Sequence, residues 1–73
     1  MPALVGKPHV DHRSRRRVPQ WIVPVINGSI VEHFYVDDEL AALKLCRQLI
    51  DAGHALNPHA WDESDLPALE VVP

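Results

Sequence analysis

A chain of 73 residues, 47% of them apolar, is long enough for one domain and too apolar to be disordered throughout. No apolar run approaches the roughly 18 residues that cross a membrane, and residues 1–17 lack the apolar stretch of a signal peptide, so no membrane partner is expected. A single cysteine, Cys46, excludes an intrachain disulfide and favours a reducing compartment, here expected to be the cytoplasm.

The net charge of −3 conceals two opposite parts. Lys7, Arg13, Arg15, Arg16 and Arg17 outweigh Asp11 in residues 1–17, leaving +4, whereas Lys44 and Arg47 face nine acids in residues 18–73, leaving −7. The pattern reads as a basic tail on an acidic body.

Residues 1–17 show neither helical nor strand periodicity. Pro2, Gly6 and Pro8 interrupt them, and Arg13 to Arg17 is nearly continuous charge. The segment is expected to be a flexible, disordered basic arm, with residues 1–16 dispensable for folding. Residues 18–73 are expected to form a single small α+β domain, a β-hairpin packed on one amphipathic helix.

The hairpin is expected over residues 20–36. Trp21 to Ile26 is β-branched and aromatic, Asn27-Gly28 suits a type I′ turn, and Ser29 to Val36 resumes the strand pattern. That turn would pair Ile26 with Ser29, Val25 with Ile30, Val23 with Glu32 and Trp21 with Phe34. One face then carries Trp21, Val23, Val25, Ile30 and Phe34, interrupted by Glu32. The other carries Ile22, Pro24, Ile26, Val31, His33 and Tyr35. Pro24 cannot donate to a ladder, so the first strand is expected at an edge or with its donor side free there.

Asp37 or Asp38 suits a helix N-cap, and Gly53 suits a left-handed C-terminal cap, which places a helix over residues 38–52. Lys44, Arg47, Gln48 and Asp51 form one narrow polar stripe, and apolar side chains cover most of the remaining circumference, far more than the roughly 100° an ordinary surface helix buries. Asn57-Pro58 and Asp62 to Asp65 read as loop. Residues 68–72 are a candidate third strand.

Catalytic and metal-binding signals are weak. His9, Asp11 and His12 crowd three metal-ligand side chains together, one short of a tetrahedral zinc set. Cys46 falls in mid-helix, where nothing activates a thiol. Ser14, Ser29 and Ser64 lie in no nucleophile-type turn, and the three glycines are too scattered for a phosphate loop. No catalytic residue, metal ligand or cofactor is assigned.

The apolar surplus is the stronger signal. A hairpin and one helix cannot bury both sheet faces and most of a helix. Either the C-terminal segment folds back with Trp61, Leu66, Leu69 and Val71, or another chain covers the surplus. The leading expectation is a non-enzymatic protein-interaction module, either a homodimer or a subunit or inhibitor of a larger protein, using Leu45, Leu49 and Trp61. The acids of the body could then face a basic partner surface. The alternative is nucleic-acid binding through Arg13, Arg15, Arg16 and Arg17, a run that could equally meet an acidic partner. A small metal-dependent or thiol enzyme stands third.

Overall fold

The structure, a computed structural model, describes residues 2–13, 15 and 17–72. In chain order its elements are β1 (Leu4–Val5), β2 (His9–Val10), β3 (Trp21–Asn27), β4 (Ile30–Val36), α1 (Glu39–Asp51), β5 (Ala55–Leu56), a 3-10 turn (Glu63–Asp65) and α2 (Leu66–Glu70). Five strands form one mixed sheet beside two helices, which makes this a small α+β domain.

β3 is the centre of the sheet. Its antiparallel partner β4 runs along one side. On the other side β2 pairs antiparallel with its beginning and β1 with its end, and β5 lies beyond β1, parallel to it. The expectation of a disordered arm over residues 1–17 is therefore corrected for its first part. Val5 is fully buried, Ala3 and Val25 nearly so, and all three join one core with Val23, Ala42, Cys46, Trp61 and Leu69.

A bulge explains why this strand is hard to read. Val5 pairs with Val25 and His9 with Ile22, so three residues of the first chain segment, 6–8, face two of β3. The extra residue re-phases the alternation. Val5 and Val10, an odd number of positions apart, then both face the core side, with Leu4 and His9 on the other. The bulge lies opposite Pro24, whose carbonyl accepts the Gly6 N–H at 2.8 Å. Backbone N–H and C=O of one antiparallel residue point the same way, so the donor that Pro24 lacks belongs to this side. The β3–β4 ladder loses nothing, and β3 can be central despite its proline.

Close packing at the bulge also needs Gly6. A Cβ there would lie 2.8 Å from Pro24 Cγ and 3.2 Å from its carbonyl oxygen, and a proline ring in a central strand cannot swing aside. Overpacking of this kind costs about 1–3 kcal/mol. Gly6→Ala is expected to lower the melting temperature by at least about 4 °C, whereas Ser29→Ala on the exposed turn leaves it unchanged. Equal melting curves for the two variants would mean that the strands separate freely at the bulge.

The hairpin forms where expected, with a different turn. Asn27 pairs with Ile30, so the central residues are Gly28 and Ser29. Gly28 has φ +64° and among the described residues no non-glycine has positive φ, the pattern of type II′ rather than type I′, which needs two positive values. Trp21 accordingly faces Val36 rather than Phe34. The slip amounts to two residues of β4, and an even slip keeps every side chain on its face. Both expected face compositions survive although every pairing has changed.

α1 begins on Asp38, whose Oδ1 accepts the Ala41 N–H at 2.7 Å. It ends in a Schellman motif. Gly53, at φ +108°, donates to Ile50 O, and His54 donates to Leu49 O. The expected third strand at 68–72 is corrected: residues 66–70 form α2, with Pro67 in the first turn, where a missing N–H costs nothing. α2 packs against α1, burying Leu69 and leaving Val71 exposed. The C-terminal segment thus supplies much of the cover that the helix required.

Candidate functional site

Both helices lie on the Val5–Val23–Val25 side of the sheet. The opposite face carries no helix. By register it presents Val31, His33 and Tyr35 from β4, Ile22, Pro24 and Ile26 from β3, and Leu4 and His9 from the first segment. Val31 and Tyr35 are each 55% exposed. Part of the apolar surplus legible in the sequence therefore lies on the outer sheet face, while Leu40 and Leu66 stay exposed on the helices.

The expected interaction residues sit differently. Leu45 and Leu49 are half-buried and pack against the chain's own core. Trp61 is a core residue, 8% exposed, and its Nε1–H donates to Val5 O at 2.9 Å. The side chain that looked free for a partner is engaged inside the molecule. Arg13, Arg15 and Arg17 are exposed, and Arg16 lies outside the described residues.

β4 is an open edge. Because the Pro24 carbonyl points toward β1 and β2, the Pro24–His33 pair makes no hydrogen bond within the hairpin. By alternation the backbone N–H and C=O of Val31, His33 and Tyr35 all point outward. Among the described residues nothing pairs with this edge. Natural edges are blunted by lysine, proline, bulges or short length. β4 is seven residues long, reads IVEHFYV and has only Glu32 as a charge.

Two hollows flank this region. On the outer face, His9 to Arg13, Ile22, His33 and Tyr35 enclose about 360 Å³. On the helical side, Trp21, Trp61, Glu39, Asp65 and Lys7 line one of about 210 Å³. In the second, Lys7 Nζ donates to Asp65 Oδ1 at 2.9 Å while Asp65 Oδ2 accepts the Asp62 N–H, and Glu39 adds a second carboxylate to the lining. The lysine, then the Asp62 N–H, hold the Asp65 carboxyl below its usual range, and Asp65 raises Lys7 in turn.

A depressed carboxylate contributes stability above its unfolded pKa and loses it as pH falls through the folded value. Asp65→Asn is therefore expected to melt below the parent at pH 7. The gap closes in acid, below about pH 4, and again in alkali once Lys7 loses its proton. A gap that persists in acid would assign the effect to packing rather than charge.

Cys46 is fully buried, and burial pushes its thiol up to about 11, far from a nucleophile's range. Among the described residues no three histidine, cysteine or acidic side chains gather as a metal site, and no helix is long and apolar enough to cross a membrane. Comparison with protein-family models, curated proteins and solved structures finds no match to this chain.

Proposed function

We propose that the protein is a non-enzymatic interaction module that works by strand addition at β4, most simply to a second copy of itself. The observation that carries this reading is the outward row of backbone groups on Val31, His33 and Tyr35, on a long strand without a proline, lysine or bulge to guard it. Ile30 and Val31, 61% and 55% exposed, add apolar area beside that edge. A two-fold pairing is self-complementary by construction, each copy offering the same strand. A strand from a larger protein would use the same backbone groups.

Val31→Pro tests the reading directly. Proline there removes an outward donor and none of the β3–β4 hydrogen bonds, so the monomer should keep its fold. Sedimentation velocity is expected to show a dimer for the parent chain and a monomer for the variant, with matching circular dichroism. A parent chain that stays monomeric at high concentration, or a variant that still dimerises, would overturn self-association through this edge.

A further inference from the structure

The charge asymmetry of the sequence becomes a spatial one in the fold. Glu39, Asp51, Glu63, Asp65 and Glu70 lie on the helices and the 3-10 turn, and these pack on the inner face of the sheet. Arg13 lines the hollow on the outer face, Arg17 lines the shallow one beside Val18, Gln20 and Asp37, and Arg15 is exposed in the loop between them. Their guanidinium groups make no ion pair with any described residue. Two acids line the same hollows, Asp11 and Asp37. Asp11 accepts the backbone N–H of Arg13 at 3.0 Å and so closes the loop, and Asp37 shares a shallow hollow with Arg17.

The groove on that face is built rather than incidental. Tyr35, Ile22 and His9 form one row across β4, β3 and β2. Ile22 is 8% exposed although no helix covers it, and it lies outside the core cluster. Its cover comes from the groove walls, namely the His9–Arg13 segment, His33 and Tyr35. The result is an apolar floor, an exposed phenol ring and imidazoles at the sides, a guanidinium at the rim, and one carboxylate, Asp11, held by the Arg13 backbone N–H.

We propose that this groove binds single-stranded nucleic acid, with a base stacked on Tyr35 over the Ile22 floor and the phosphates meeting Arg13, Arg15 and Arg17. An exposed aromatic ring accepts any base by its π face, and adjacent arginines follow the backbone, the combination that single strands require and a paired duplex cannot use. Of the ten acids behind the net charge of −3, five lie on the helices and the 3-10 turn. The molecule is at least 20 Å across, and charges beyond a Debye length of about 8 Å are largely screened. The site goes beyond strand addition at β4 and does not rest on it, because self-association is read without nucleic acid present.

The test is fluorescence anisotropy of the full chain with labelled oligo(dT) and oligo(rU) across a salt series. Binding of either strand, weaker at high salt, is expected; the stronger of the two names the source of the strand. Tyr35→Ala should weaken it at least about fivefold, and Tyr35→Phe, which keeps the ring, should restore it. Arg13→Ala should reduce the slope of log affinity against log salt by about 0.7, while Lys44→Ala on the helical layer changes nothing. The proposal is overturned by absence of binding to both strands at low salt. It is equally overturned if Tyr35→Ala binds as the parent does, which would mark a site for phosphate alone, such as a phosphopeptide. Equal loss with Lys44→Ala, or a duplex bound as tightly as a single strand, would also overturn it, by showing unspecific attraction.

Discussion

A chain beginning at residue 12 is expected to lose cooperative folding. The missing segment contains β1, which lies between β3 and β5 and, among the described residues, is the only strand that β5 pairs with. Val5 is fully buried, and burying such a side chain contributes roughly 1.5–3 kcal/mol. Its carbonyl accepts both the Asn57 N–H and the Trp61 Nε1–H at 2.9 Å, and the Ala3 carbonyl accepts the Ala55 N–H at 3.0 Å. Without the strand, β5 and Trp61 lose their attachments and α1 loses part of the surface it packs on. A domain of 73 residues has a net stability of roughly 4–11 kcal/mol, so losses of this kind exhaust it. Thermal melts followed by circular dichroism decide the matter. A sigmoidal transition within a few degrees of the parent would show that the first residues are as dispensable as their composition suggests.

The second large effect is expected at Trp61. Trp61→Ala removes a nearly buried indole from the junction of β1, the loop after β5 and α2, and tryptophan truncations of this kind cost about 3–5 kcal/mol. A domain this small should then melt more than about 12 °C lower. Trp61→Phe keeps most of the apolar volume. It leaves the Val5 carbonyl with the Asn57 N–H as partner, so its cost should be nearer that of one hydrogen bond, about 0.5–1.5 kcal/mol. The pair of variants separates a core residue from an interface residue. If Trp61 served a partner instead, Trp61→Ala would weaken association and leave the melting temperature in place.

Where the sequence reads well, the cause is local. Asp38 and Gly53 bound α1 because a side-chain oxygen can reach the next turn and a glycine can take positive φ, and neither property depends on distant residues. The hairpin is legible from two β-branched runs around a glycine. Even its faces are, because alternation survives a two-residue slip. The exact turn is less so, since Asn27-Gly28 and Gly28-Ser29 both offer a glycine, and the pairing along the whole ladder selects between them.

The features that could not be read along the chain are those that non-local partners hold in place. β1 and β2 are two residues each, too short for any periodic signal, and the bulge between them breaks the alternation that would have joined Val5 to Val10. Their order comes from β3, many residues further along the chain. Residues 68–72 look like a strand by composition, yet β5 already occupies the side of β1 away from β3, and Leu69 finds its burial against α1 by turning helical. The surplus of apolar surface was visible in the sequence because it is a matter of composition. Its location on the outer sheet face and the β4 edge was not, because which face stays open depends on where Trp61 and α2 pack. A capped helix, a hairpin and an apolar excess follow from neighbours along the chain; the place of the first residues in the sheet and the face left open follow from burial against residues far away in sequence.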